Sequence, residues 1–134
     1  MAFAEIRFTE NKPVRFLLAR TPGNQDTELA PGEFVGYGVD SGTGCFADAR
    51  MAEYQQSLEE EEQEAFIDEL TDLLMESDPG AYSALDYSPE GAPANLVALS
   101  SGEGDGGYGS YWGFDENGVL CCLLTDFGSF YLTD

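Results

Sequence analysis

Apolar side chains in the middle of the chain recur at intervals of three and four, the spacing that puts them on one side of an α-helix. This stripe consists of Leu58, Phe66, Ile67, Leu70, Leu73 and Leu74. Ser57 followed by Glu60 matches a capping box, and Asp78-Pro79-Gly80 is a strong stop signal. An earlier helical piece is predicted from Asp48, and the sequence leaves open whether Ser57 separates two helices or lies inside one.

The rest of the chain has the pattern of short strands. Residues 4–8 alternate apolar and charged positions, and residues 13–18 follow a turn at Asn11-Lys12, which predicts an antiparallel hairpin. Further strands are predicted around residues 34–39, 95–99, 108–114, 119–124 and 127–132. Asn117-Gly118 predicts a hairpin between 108–114 and 119–124. The glycine-rich residues 40–45 and 101–107, and residues 82–93, are predicted as loops.

These elements together predict an α+β fold. We expect a mostly antiparallel β-sheet or a small sandwich with one main acidic helical segment, at about residues 48–76. No internal repeat or linker divides the 134 residues, and a chain of this length has the usual size of one domain, so a single domain over 1–134 is predicted.

Charge narrows the range of functions. The chain has 26 acidic residues, five basic residues and no histidine, for a formal net charge of −21. Without histidine, Ser-His-Asp triads, Cys-His dyads and His-ligated zinc are excluded, so a catalytic role is the less favoured expectation and no catalytic residue is assigned. Such a negative chain repels phosphate backbones and anionic lipids, which argues against nucleic acid and membrane as direct partners. It attracts a basic protein or a cation.

The acidic residues are concentrated in the predicted helix. Seven of the 26 acids lie in residues 1–50 with all five bases, so the other nineteen lie in residues 51–134 without a base. An acidic helix surface is ordinarily a solvated face. Here, however, no lysine or arginine lies four residues away, and like charges at that spacing destabilise a helix.

The sequence also predicts the cellular location of the protein and the oxidation state of its cysteines. No apolar run is long enough for a membrane span, and residues 1–19 lack the features of a signal peptide, so a cytoplasmic location is expected. Cys45, Cys121 and Cys122 have no metal-ligand or redox spacing, which suits reduced thiols. Cys45 is predicted as a small buried residue at a strand-to-helix junction, and Cys121 and Cys122 as core and edge positions.

The two glycine-rich loops are candidates for a cation site. Asp40, Asp105 and Asp115 could converge there, and an oxygen-only cluster of this kind would accept Ca²⁺ or Mg²⁺. The spacing does not match an EF-hand, and the simpler interpretation, which the sequence favours, is that these acids cap turns. No cofactor is otherwise expected.

The two glycine-acid motifs also carry a resemblance to a known family. Val39-Asp40-Ser41-Gly42-Thr43-Gly44-Cys45-Phe46-Ala47-Asp48, and Ser101-Gly102-Glu103-Gly104-Asp105-Gly106-Gly107-Tyr108 ahead of Tyr111-Trp112-Gly113-Phe114-Asp115, resemble the bacterial DUF4241 family, a domain of unknown function. The resemblance covers nearly the whole chain. It implies one intact domain with the two loops as its signature, and it implies no catalytic residue.

The function that the sequence favours is a cytoplasmic binding protein of the immunity or inhibitor type, which docks carboxylates on a basic partner, for example a toxin. Tyr54 or Tyr82, expected to be exposed, would supply an aromatic anchor. The alternatives are a divalent-cation or small-ligand domain, including a metal-dependent hydrolase, at the two glycine-acid loops, and a general adaptation to high salt. The predicted partner-binding residues are Glu59, Glu60, Glu61, Glu62, Glu64, Asp68, Glu69 and Asp72.

Overall fold

The computed structural model describes residues 3–26, 28–31, 33–39, 42–77, 84–100 and 106–127. It contains eight strands, all paired antiparallel, and two α-helices within these residues, which confirms the predicted α+β fold. Contacts divide the chain into two compact units, residues 1–42 with 101–134 and residues 43–100. The single domain expected from the sequence stays a prediction, and each unit is described by itself.

The first unit is a five-stranded antiparallel sheet. Its strands are β1 (Phe3–Arg7), β2 (Arg15–Leu18), β3 (Tyr37–Val39), β7 (Gly106–Phe114) and β8 (Leu120–Asp126), with a short 3-10 helix at Pro22–Asn24. The strand order is β1-β8-β7-β2, and β3 also pairs with β7. The sheet is therefore organised around the β7–β8 hairpin, as the Asn117-Gly118 signal predicted.

Two glycines shape that hairpin. Gly118 lies in the turn with φ +76°, a conformation that glycine adopts without a Cβ penalty. At Gly113 a Cβ would lie 2.5 Å from Sγ of Cys122, so no larger residue fits there without a shift. A register shift between Gly113 and Phe114 forms a bulge at this end of the hairpin.

The predicted hairpin between residues 4–8 and 13–18 is wrong in its pairing, although both strands exist. β1 pairs with β8, and β2 pairs with β7, so the central hairpin lies between them. The segment that connects β1 to β2 lies beside the turn of the β7–β8 hairpin. At its two ends, the amide of Phe8 donates to the carbonyl of Cys121 at 2.9 Å, and the amide of Val14 donates to the carbonyl of Phe114 at 2.8 Å. The alternating pattern identified the strands but carried no information about their partners.

The second unit combines a three-stranded sheet with both helices. Its elements are β4 (Thr43–Ala47), α1 (Ala49–Ser57), α2 (Glu60–Ser77), β5 (Ala84–Tyr87) and β6 (Leu96–Ser100), and the strand order is β4-β6-β5. β4 and β5 overlap residues that were predicted as loops, so those predictions are wrong at residues 43–45 and 84–87, while residues 88–93 form the predicted loop. The apolar core of this unit contains Met51, Phe66, Leu74, Tyr87, Leu96 and Ala98.

The helical segment is divided between α1 and α2, which answers the question that the sequence left open. Asp48 is the N-cap of α1 and accepts a hydrogen bond from the amide of Arg50 at 2.9 Å. Ser57 does not cap α2, because its hydroxyl donates to the carbonyl of Tyr54 at the end of α1. The amide of Glu59 instead donates to Glu62 Oε2 at 3.2 Å, the half of a capping box that a glutamate three residues on supplies.

Two predictions fall outside the described residues. The expected last strand, residues 127–132, is described only at Phe127, which is buried and stacks edge-on against Tyr108 with ring centroids 5.1 Å apart. Most of the second glycine-rich loop, residues 101–105, also lies outside the description, while Gly106 and Gly107 begin β7.

Candidate functional site

All eight predicted partner-binding acids are exposed, on α2 or at the residue directly before it. We call this set the acidic face: Glu59, Glu60, Glu61, Glu62, Glu64, Asp68, Glu69 and Asp72. The opposite side of the helix is held against its unit by Phe66 and Leu74, which are 8% and 6% exposed. The amphipathic pattern therefore divides α2 into a packed side and a charged side.

Spacing along α2 brings like charges together. Glu64 lies four residues from both Glu60 and Asp68, and Asp72 lies four residues from Asp68. On a helix these positions are neighbours, and each like-charge pair destabilises it by about 0.2–0.5 kcal/mol. The first-turn acids are the exception, since negative charge is favourable at a helix N-terminus.

No basic side chain neutralises the acidic face within the described residues. The salt bridges found there join Arg7 to Glu5 and Arg50 to Asp48, each at 3.1 Å. Arg15 lies over the ring of Phe114, 5.0 Å from its centroid. The charge of the face is therefore left to solvent, salt or a partner.

A groove runs beside the acidic face, and both α1 and α2 line it. Its volume is about 520 Å³, and its lining residues are Gln55, Glu60, Gln63, Glu64, Ile67 and Asp68. Ile67 belongs to the predicted apolar stripe of the helix, and it is 45% exposed. The groove thus combines three carboxylates and two amides with an apolar surface, which suits the long apolar stem and charged head of lysine or arginine.

Glu69 differs from its neighbours on the acidic face because it has a partner inside its own unit. The hydroxyl of Tyr87 donates to Glu69 Oε2 at 2.6 Å. Tyr87 is buried at 5% exposure, and its ring packs edge-on against Phe66 at 5.5 Å between centroids. Desolvation, then the hydrogen bond and charge of Glu69, raise the pKa of Tyr87. Glu69 therefore also contributes to attaching α2 to β5.

Of the two expected aromatic anchors, only Tyr54 lies in the described residues. Tyr54 is half-buried and packs against the apolar core of its unit, so the prediction that it is exposed is wrong. Tyr82 lies outside the described residues. The exposed apolar side chain at the groove is Ile67, which the sequence pattern placed in the apolar stripe beside Phe66.

Of the three acids proposed for a cation, only Asp115 is described; Asp40 and Asp105 lie outside the described residues. Asp115 is 5% exposed, and its Oδ1 accepts from the amides of Asn117 and Val119 at 2.9 and 3.0 Å. Its Oδ2 accepts from Asn11 Nδ2 at 2.8 Å. These hydrogen bonds, the Val119 amide first and the Asn11 amide next, lower the pKa of the Asp115 carboxyl. Its oxygens are thus engaged in holding the hairpin turn.

A second, smaller groove of about 330 Å³ lies at this turn, lined by Asn11, Lys12, Val14, Asp115, Glu116 and Asn117. Across the described part of the chain, no group of three or more Cys, Asp or Glu side chains is arranged to hold a metal ion. The structure therefore leaves the cation site a prediction, because two of its three residues fall in gaps of the description.

The cysteines are free thiols and differ in burial. Cys45 is exposed on β4, so its prediction as a buried junction residue is wrong, and partial desolvation raises the pKa of its thiol. Cys121 and Cys122 are both fully buried on β8. Burial first, then the nearby Glu5 carboxylate, raise the pKa of Cys122 to about 11. A raised pKa disfavours the thiolate, so neither Cys45 nor Cys122 is activated as a nucleophile.

The family model described as "Protein of unknown function (DUF4241)" matches residues 1–125. The chain belongs to the DUF4241 family. The match includes the acidic face, the α1–α2 groove and the Asp115 turn, so all of these features lie within the DUF4241 region. No curated protein and no solved structure is similar enough to this DUF4241 chain to count as a match.

The two α-helices described for the DUF4241 chain do not have the properties of membrane spans. Neither α1 nor α2, the two helices in the described ranges, combines the length and the apolar composition needed to cross a membrane. α2 is long enough at 18 residues, but one side of it is charged.

Proposed function

We propose that the chain is an acidic binding protein of the immunity or inhibitor type, which docks the acidic face of α2 on a basic partner protein. The observation that carries this proposal is the absence, within the described residues, of any cationic neighbour for eight exposed carboxylates. Charge at this density works against the stability of α2. A surface kept at a cost to stability is typical of a surface used for function.

The shape of the groove supports the same role. A lysine or arginine from the partner would lay its methylene stem on Ile67 and place its charged head between Glu64 and Asp68. The exposed acids around the groove would speed the encounter, because opposite charges attract the partner over a distance set by ionic strength. A toxin that acts on nucleic acid fits this description, since its active face is built to hold phosphate.

Carboxylates would then occupy a surface that otherwise binds phosphate, which is how an acidic inhibitor can block such a site. In this proposal Glu60, Glu64 and Asp68 contact the partner directly. The more distant acids of the face contribute mainly to the association rate. Glu69 contributes less than the others, because Tyr87 already engages its carboxylate.

The test compares two variants with the same loss of charge. The groove variant carries Glu60→Gln, Glu64→Gln and Asp68→Asn. The control variant carries Glu10→Gln, Glu28→Gln and Glu33→Gln, three exposed acids of the other unit. Each removes three negative charges from a formal net charge of −21, so the long-range attraction of the whole chain is matched.

The probes are purified small basic proteins, including nucleases, with association measured by surface plasmon resonance at low and near-physiological ionic strength. The groove variant is expected to lower affinity roughly tenfold or more, while the control variant changes it about twofold or less. An equal loss in both variants would show that only net charge matters, and unchanged binding by the groove variant would contradict the proposal outright.

A further inference from the structure

β1 lies at one edge of the five-stranded sheet, next to β8. Residues of an antiparallel strand alternate between pairs that exchange hydrogen bonds and pairs whose backbone groups point away. The amide of Phe8 donates to the carbonyl of Cys121, and this bond sets the phase of the β1–β8 ladder. The N–H and C=O groups of Glu5 and Arg7 therefore point away from β8. In the described residues no backbone hydrogen bond reaches these four groups.

The side chains of the same strand form two distinct faces. Glu5 and Arg7 lie on one face and pair with each other at 3.1 Å, with side chains 19% and 44% exposed. Ile6 lies on the other face and is 36% exposed, and Phe8, directly after the strand, is 51% exposed. Within the described residues, this stretch therefore presents the open backbone groups of Glu5 and Arg7, one opposite-charge pair and two exposed apolar side chains.

We propose that β1 pairs antiparallel with β1 of a second copy of this chain, with the two-fold axis at Ile6. In this register Glu5 lies opposite Arg7 of the other copy, and Arg7 lies opposite its Glu5. The two pairs exchange four backbone hydrogen bonds, which use the outward N–H and C=O groups of Glu5 and Arg7 in both copies. Ile6 meets its own counterpart across the axis, in the pair type whose side chains are closest.

Self-complementarity is the reason to choose a second copy as the occupant. A two-fold interface brings each residue against its symmetry partner, so a strand fits itself when its charges are opposite at positions equidistant from the axis. Glu5 and Arg7 meet this condition, because they carry opposite charges and lie one residue on either side of Ile6. On the apolar face, the two Ile6 side chains meet at the axis. Exposed edge strands with apolar side chains are also the sites at which sheets add a strand.

This proposal rests on the first unit alone and is independent of the acidic face. Its first test is charge exchange, measured by analytical ultracentrifugation of the full chain over a concentration series at near-physiological ionic strength. Glu5→Arg places like charges opposite each other twice, and so does Arg7→Glu. Each single variant is expected to weaken self-association roughly tenfold or more. The double variant E5R/R7E restores opposite charges and is expected to restore self-association.

The second test is a disulfide at the axis. In a Cys45→Ser background the remaining cysteines are buried, so Ile6→Cys provides the accessible thiol. Directly opposed residues of a non-hydrogen-bonded antiparallel pair lie at a separation that a disulfide can span. Ile6→Cys is therefore expected to give a covalent dimer on mild oxidation. Phe8→Cys, which lies opposite Ala4 of the other copy, is expected to give several-fold less.

Either test can overturn the proposal. A chain that sediments as a monomer at every concentration overturns it, and so does a double variant E5R/R7E that, with the circular dichroism of the parent, associates as weakly as the single variants. Equal cross-linking by Ile6→Cys and Phe8→Cys shows random collision and also overturns it. Recovery by the charge exchange together with selective cross-linking at position 6 supports it.

Discussion

The Asp115 turn and the acidic face of α2 use carboxylates in opposite ways. Asp115 is buried, and its two oxygens accept hydrogen bonds from Asn117, Val119 and Asn11. The carboxylates of α2 are exposed and, across the described residues, have no cationic partner. The Asp115 carboxylate stabilises the turn of its own unit, while the exposed carboxylates of α2 add little to the stability of theirs. An acidic residue in the sequence therefore does not by itself indicate a structural or a functional role. The hydrogen-bond and charge partners of its carboxylate in the fold distinguish the two roles.

The comparison predicts its largest effect at Asp115. Asp115→Asn keeps an oxygen for the turn amides, but its new NH₂ group faces the NH₂ of Asn11, so one donor opposes another. We expect the midpoint of thermal unfolding, followed by circular dichroism, to fall by roughly 5 °C or more. Glu116→Gln, an exposed carboxylate on the same turn, is the control and should leave the midpoint nearly unchanged. Equal effects of the two substitutions would show that the buried Asp115 carboxylate contributes no more to stability than an exposed one.

A pH series sharpens the same contrast. The pKa of Asp115 is lower in the folded state than the usual value of about 3.9 for an unfolded chain. Its stabilising contribution is therefore complete above the unfolded pKa and is lost as the pH falls through the folded pKa. The difference in the free energy of unfolding between the parent and Asp115→Asn should shrink as the pH is lowered from about 6 to 3. A difference that stays constant over this range would show that the charge of Asp115 contributes nothing to stability.

Neutralising part of the acidic face should have the opposite sign and a smaller size. Glu64→Gln with Asp68→Asn removes three like-charge pairs at the four-residue spacing, Glu60/Glu64, Glu64/Asp68 and Asp68/Asp72. The free energy of unfolding, measured in urea, should rise by about 1 kcal/mol at low ionic strength, since each pair costs about 0.2–0.5 kcal/mol. Added salt should narrow the gap, because it screens the repulsion in the parent chain. A double variant that is less stable than the parent would mean that these carboxylates have stabilising partners.

The parts of this structure that sequence reasoning predicted well depend on local signals. The β7–β8 hairpin follows from a turn whose residues specify it, and the packed side of α2 follows from apolar spacing. Strand partners were not predictable in the same way, since β1 and β2 are adjacent in sequence but pair with different strands. β4 was missed because glycines at its start are typical of a loop.

The candidate site was predictable in its charges but not in its shape. Eight acids on one side of a helix follow from helical periodicity. The groove depends on α1 lying beside α2, which brings Gln55 to residues that the sequence places several positions away. Ile67 shows the same limit. Helical spacing indicates which side of α2 packs against the unit, but it does not indicate how far around the helix the buried positions extend. The bond between Tyr87 and Glu69 joins residues 18 positions apart, and neither residue carries a signal for it.

The smallest predicted effect tests whether the acidic face is uniform. Glu69 has no acid four residues away on either side, and its carboxylate accepts from the buried Tyr87 hydroxyl at 2.6 Å. Glu69→Gln weakens that hydrogen bond and relieves only the like-charge pair with Asp72, three residues away, so the net effect should lower the free energy of unfolding by about 0.5 kcal/mol. Glu64→Gln, the matched change on the same helix, relieves two like-charge pairs and should raise it by a similar amount. Opposite signs for two identical substitutions would show that α2 carries one structural carboxylate among its solvent-facing ones. Equal signs would place Glu69 with the rest of the face and leave the Asp115 turn as the contrasting case.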